Sequence, residues 1–136
     1  MDHEALDALL SSSSSVASVV VGEIEAALAE AISATVNTVY LSWMTAQKQL
    51  RQHPDLKLWE SQLLPTILHR GIVVKDSPKT LIVTHYDIEP PNRLYKAAIK
   101  ATDVGHEIYL ISFHRARLKS LLNIRNRGKI IRRFQY

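Results

Sequence analysis

From Gly71 to Ala116 the chain is written in strand-length runs of alternating apolar and polar residues, separated by turn signals. The stretch GIVVKDSPKTLIVTHYD folds back on itself at Asp76-Ser77-Pro78-Lys79, which predicts two strands joined by a tight turn. Residues 87–92, DIEPPN, read as a loop. Arg93–Asp103 and His106–Ala116 read as two further strands joined at Val104-Gly105, where a glycine can take a positive φ. Such a run commits this half of the chain to an antiparallel meander, which needs helices over one face to close a core.

Helices are expected on both sides of it. Residues 2–10 predict a short helix, and Ser11 to Ser15 form a low-complexity break that supplies an N-cap. Val16 to Gln52 contain no proline and one glycine. Val20, Ile24, Leu28, Ala31, Val36, Val39, Trp43, Ala46 and Leu50 recur at helical spacing. One helix of that length would run about 55 Å, at roughly 1.5 Å per residue. It is therefore expected either to break at residues 33–38 or to pack its stripe against another chain, as a homodimer or partner interface. His53-Pro54 closes the region. Asp55 is placed to cap a helix over LKLWESQLLPTILHR that restarts at Pro65 and ends at Gly71. RLKSLLNIRNRG predicts a short basic helix ended by Gly128, and KIIRRFQY a last strand. The expectation is an α+β protein: N-terminal helices, then a four- or five-stranded antiparallel sheet with a short basic C-terminal helix. It divides into a helical extension over 1–53 and an α+β domain over 54–136.

Charge divides along the same line. Residues 1–53 carry six acids and two bases, net −4, whereas residues 54–136 carry seven acids and fifteen bases, net +8. From Arg115 to Tyr136 there are eight bases and no acid. This asymmetry points to a polyanionic partner, nucleic acid first. No apolar run is long enough for a membrane helix and no basic segment leads into an apolar one at the N-terminus, so no membrane association is expected. The absence of cysteine removes disulfides, thiolate metal sites and cysteine nucleophiles, and fits a cytoplasmic setting. The six histidines form no HxH or HExxH arrangement and the four glycines no phosphate-cradling GxxxxGK loop, so neither a metal nor a cofactor is expected.

Strand alternation places the charges of the last hairpin. With a tight turn, Thr102 pairs with Glu107, Lys100 with Tyr109 and Lys96 with Phe113, which gathers Lys96, Lys100, Thr102, Glu107 and Tyr109 on one face. A half-exposed sheet needs such a polar face in any case, and opposite charges across strands stabilise a hairpin by roughly 0.2–1 kcal/mol. Charge alone therefore does not make a site. Regular alternation also puts Glu107 and His114 on opposite faces, and only a bulge or strong twist between them would re-aim one of the two.

The pattern YKAAIKAT–G–EIYLISFHRA followed by a basic helix resembles the nuclease domains grouped with barnase, EndoU, colicin-type tRNases and RelE, in the variants found in phage proteins and bacterial polymorphic toxins. The resemblance covers about residues 56–133. It rests on Tyr95-Lys96, Lys100-x-Thr102, Glu107-x-Tyr109 and Ser112-Phe113-His114-Arg115.

That resemblance implies a metal-independent endoribonuclease, a toxin or phage or mobile-element effector. In such an enzyme the 2′-hydroxyl attacks the neighbouring phosphate with the help of a base, an acid and cations. It implies Glu107 as the base with Lys100 beside it, His114 as the acid, and Arg115 and Ser112 as further catalytic residues. Arg93, Lys96, Thr102 and Arg117 would bind substrate, with Tyr95 or Tyr109 stacking on a base. The implied partners are RNA and an antitoxin or immunity protein. The alternative is a non-catalytic module of nuclease-like fold that binds nucleic acid or protein, as a phage structural or accessory protein could.

Overall fold

The computed structural model describes residues 2–10, 18–87, 93–127 and 129–132. The elements in chain order are α1 (His3–Leu10), β1 (Ser18–Glu23), α2 (Ala26–Ala31), β2 (Thr38–Ser42), α3 (Trp43–Gln52), α4 (Leu58–Ser61) and α5 (Leu64–Arg70). They are followed by β3 (Ile72–Ser77), β4 (Thr80–Asp87), β5 (Arg93–Ala101), β6 (Ile108–Arg115), α6 (Leu118–Arg127) and β7 (Lys129–Arg132). The serine break, the loop at 88–92, Gly128 and residues 133–136 of the expected last strand lie outside the described residues.

The class is α+β, but the sheet is larger than expected and mixed. Seven strands run in the order β1-β2-β6-β5-β4-β3-β7. All neighbours are antiparallel except β2 and β6, which pair in parallel through Val39↔Ile108 and Tyr40↔Tyr109. The helix expected across 16–52 does not form. In its place are two strands and two short helices, and the hydrogen-bonded sheet crosses the boundary expected between 53 and 54. The physical reason is side-chain branching. SVVVGE and TVYLS are rich in residues that lose rotamer freedom in a helix and pack well on a pleated surface. Their burial alternates with period two: Val19, Val21, Val39 and Leu41 are buried while Val20 is exposed and Tyr40 half-exposed.

One face of the sheet carries the main core. Tyr95, Ala97 and Ile99 of β5, Leu110 and Phe113 of β6 and Leu81 and Val83 of β4 pack there against Leu6, Leu9, Ile32, Ala46, Leu64, Ile67 and Leu68 from the helices. The expected breaks in the 56–70 helix are present: α4 ends at Ser61, α5 begins with Pro65 in its first turn, and Gly71 caps it in an extended conformation. Lys57 rather than Asp55 stands at the start of α4. At the other end of α5, Arg132 of β7 is buried and donates to the carbonyls of Leu68, at 2.7 Å, and Gly71, at 3.0 Å, while pairing with Glu25 at 3.3 Å. A helix C-terminus leaves carbonyls without intrahelical partners, and this guanidinium supplies donors to them.

The opposite face is covered in part by α6. This basic helix leaves the end of β6 and leads to β7 beyond β3, and Ile124 seals a small second cluster with Val74, Ile82 and Ala98, flanked by Ile130. Among the described residues, Val20 and Lys100 stay exposed and Tyr40 and Tyr109 half-exposed on the rest of that face.

The β5–β6 turn is anchored to the N-terminal part of the chain. Gly105 has φ 76°, and its carbonyl accepts from the Thr35 backbone N–H at 2.9 Å and the Thr35 hydroxyl at 3.2 Å. A Cβ at this position would collide with the Ser33 carbonyl oxygen. Gly105→Ala is expected to lower stability by about 2 kcal/mol in urea unfolding, from left-handed strain and collision together. Gly105→Asn should recover little of it, because asparagine tolerates the dihedral but keeps the colliding Cβ. Recovery with asparagine would mean that the dihedral alone sets the requirement.

Candidate active site at the end of strand β6

The geometry follows from one irregularity. β5 and β6 pair as expected from Ala101↔Ile108 to Ile99↔Leu110, and the register then slips so that Ala98 faces Ser112, Ala97 faces Phe113, Lys96 faces His114 and Tyr95 faces Arg115. Ile111 is the extra residue, a β-bulge. The parallel pairing with β2 has ended at Tyr109, and from Ile111 to Phe113 β6 lies against Thr45, Gln49 and Gln52 of α3 instead of another strand. The bulge moves Phe113 into the core and turns His114 to the face that carries Lys96 and Lys100.

His114 sits half-buried there. Its Nδ1 is 2.8 Å from the Arg115 carbonyl oxygen, so that nitrogen carries the proton and donates, and Nε2 is left with a lone pair in the neutral ring. Burial holds its pKa below the usual histidine range. The hydrogen bond to the Arg115 carbonyl opposes that shift, and the nearby His53 and Lys96 add to it. The His53 ring, at the C-terminal end of α3, stacks on His114 with centroids 4.8 Å apart and planes 20° apart. Beside the pair, His114, Arg117, Lys119, Ser120 and Asn123 line an open groove of about 350 Å³ between β6 and α6. Lys96 and Lys100 have no acidic partner within ion-pair distance among the described residues.

The expected site residues separate into three groups. Lys96, His114, Ser112 and Arg117 gather around the end of β6. Lys100, Thr102, Glu107 and Tyr109 lie together near the hairpin turn, on the same face. There the Tyr109 hydroxyl donates to Glu107 Oε2 at 2.9 Å, and Thr102 brackets Glu107 through its backbone N–H and its hydroxyl. The bond to Glu107 raises the Tyr109 pKa, with burial adding to it. Thr102, just past the end of β5, is six residues from Lys96, so Glu107 and His114 stand about 20 Å apart at ~3.3 Å per residue. One phosphate cannot touch both.

Arg93, Tyr95 and Arg115 form the third group, on the opposite face of the sheet. All three converge on Glu60 of α4, which is fully buried. Tyr95 donates its hydroxyl at 2.8 Å, Arg115 grips both carboxylate oxygens through Nε, at 2.7 Å, and through a terminal nitrogen, and Arg93 reaches it at 3.3 Å. The Lys57 backbone N–H adds a bond at 3.0 Å, and Arg115 also pairs with Asp55 at 3.3 Å. Burial alone would raise the Glu60 pKa; the bonds from Arg115, Lys57 and Tyr95 overcome it and hold the carboxyl at about 2. Burial and the adjacent carboxylate push the Tyr95 phenol well above its usual range. With its ring sealed against Phe113, Tyr95 cannot stack on a base, and four of the five Arg115 N–H donors are turned to Glu60 and Asp55. Both residues, expected at the site, instead hold α4 on the sheet through Glu60.

His53, Glu60 and Tyr40 were not singled out by sequence reasoning. His53 carried only the signal of a helix end before a proline, and Glu60 sits in an apolar helical run as an ordinary first-turn acid. No group of three or more histidines and carboxylates that could hold a metal ion occurs among the described residues, and no helix among them is long and apolar enough to cross a membrane. No family model, curated protein or solved structure matches this chain.

Proposed function

We propose that the protein is a metal-independent endoribonuclease whose reacting centre is the His53–His114 pair beside Lys96. The observation that carries this reading is the stacked pair of imidazoles, one of which, His114, lines a basic groove and has its Nδ1 proton held by the Arg115 carbonyl, which leaves Nε2 as the basic nitrogen. His114 Nε2 takes the proton of the RNA 2′-hydroxyl, and the 2′-oxygen bonds to phosphorus. The bond from phosphorus to the 5′-oxygen breaks, and His53 gives a proton to that oxygen. The products are a 2′,3′-cyclic phosphate and a 5′-hydroxyl. Lys96 and Arg117 stabilise the charge on the phosphoryl oxygens. This exchanges the roles implied by the resemblance: the histidine serves as base, and Glu107 is too distant to serve.

Incubating the folded protein with RNA in EDTA tests the reading, with end-group analysis for the cyclic phosphate. RNA that stays intact defeats it. A second reading, a non-catalytic nucleic-acid-binding module, is favoured by the diversion of Arg115 to Glu60. Under that reading RNA is bound, and bound less tightly as salt rises, but is not cut.

A further inference from the structure

Five strands bring one residue each into a row on the open face: Val20, Tyr40, Tyr109, Lys100 and Thr80. Tyr40 and Tyr109 are direct partners in the parallel β2–β6 pair, with ring centroids 6.2 Å apart and planes tilted by 45°. Both rings are half-exposed, and the Tyr109 ring is held in place by its hydroxyl bond to Glu107. Lys100 is exposed beside them, over a groove of about 370 Å³ that it shares with Thr102, Tyr109 and Ile111. Two aromatic rings next to a cation with no acidic partner among the described residues fit a nucleobase together with its phosphate.

Resting on the ribonuclease reading above, we infer that Tyr40 and Tyr109 form a base-stacking platform that selects single-stranded RNA and sets where on the strand cleavage falls. Lys100 and Lys96 are four residues apart on one face of β5, so the platform stands about 13 Å from His114 at ~3.3 Å per residue. A strand crosses that distance in about four stacked nucleotides, or fewer when drawn out. Charge argues for this occupant: Lys100 and Lys96 line the path, and Arg117 and Lys119 of the basic segment stand at its far end. Stacking accepts any base, because every base has a π-face, but it rejects a duplex, whose bases already stack on each other.

The test uses the full chain in EDTA and a labelled single-stranded oligonucleotide of about eight 2′-deoxynucleotides, which cannot be cleaved by 2′-attack. Its affinity is compared with that of a fully abasic backbone of the same length and charge. Wild type is expected to bind the base-bearing strand at least tenfold more tightly. Tyr40→Ala and Tyr109→Ala should each weaken that binding by about five- to a hundredfold while leaving the abasic strand unaffected, and Tyr40→Trp should retain it. Equal affinity of wild type for the two strands, or no binding of either, overturns the platform, as does a Tyr40→Ala loss that is the same for both. RNA surviving intact while these differences hold would defeat the cleavage reading and leave the platform standing.

Discussion

Glu60→Ala is expected to remove about 3–5 kcal/mol of stability at neutral pH, because it leaves the Arg115 and Arg93 guanidiniums and the buried Tyr95 hydroxyl without their common acceptor. The same contacts show in the pKa of the carboxyl. A carboxyl moved from 4.5 to about 2 stabilises the fold by roughly 3 kcal/mol, at ~1.4 kcal/mol per unit of displacement. The sign follows from the direction. A depressed carboxyl contributes its stability above about pH 4.5 and loses it as pH falls toward 2, when the folded state must also take up the proton. Urea unfolding of wild type at pH 7 and pH 3 should therefore show a drop that the Glu60→Ala protein largely lacks. A second variant separates charge from packing: Glu60→Leu combined with Arg115→Met should recover much of the loss, since a buried ion pair replaced by apolar residues of similar volume is often neutral. If Glu60→Ala unfolds at the wild-type midpoint, the network is ornamental and Arg115 is free for another role.

His114→Ala is expected to reduce RNA cleavage by about 10²–10⁴-fold, the usual contribution of a positioned base, while binding of a 2′-deoxy strand stays near wild type. As a base, His114 must be neutral, so cleavage should rise with pH along an acidic limb whose midpoint lies below the ordinary histidine value of 6.5. Lys96→Ala removes a cation that lowers this pKa and should move the limb to higher pH, in addition to slowing the reaction. His53→Ala should be nearly as damaging on ordinary RNA. A substrate with sulfur in place of the 5′-bridging oxygen separates the two histidines, because a thiolate leaves without protonation. That substrate should rescue His53→Ala and not His114→Ala. Rescue of both, or of neither, would reverse or remove the assigned roles.

The second half of the fold could be read almost residue by residue because its signals are local. Alternation in GIVVKD and TLIVTHYD, the turn at Asp76–Lys79 and the glycine at 105 each act within a few positions, and the strands formed where they were expected. The first third misled for a physical reason. Val20, Ile24 and Leu28 are spaced as on a helix, yet Val19 and Val21 are the buried pair, and β-branching outweighed a spacing that two periodicities share. Nothing local could announce that Tyr40 pairs with Tyr109, since parallel partners are chosen by the whole sheet. The site shows the same limit. That a bulge would be needed to bring His114 to the lysine face was readable from the seven-residue spacing of Glu107 and His114. That Ile111 provides it, because α3 displaces a strand from the flank of β6, was not. The grouping of Lys96, Lys100, Thr102, Glu107 and Tyr109 on one face was legible; their division along that face into two centres required the register.

The parallel pairing of β2 with β6 also dictates when the molecule can work. Its partners, Tyr40 and Tyr109, are separated by about half of the sequence, and contacts of such long range form late because a large loop must close first. On a ribosome the β1–β2 hairpin, α3 and His53 emerge well before residues 108–115 exist to receive them. Both the histidine pair and the tyrosine pair draw one ring from each part of the chain. A nascent chain without those residues therefore holds neither, and a protein of this reading would be inert toward the RNA around it until residues 108–115 have joined the sheet.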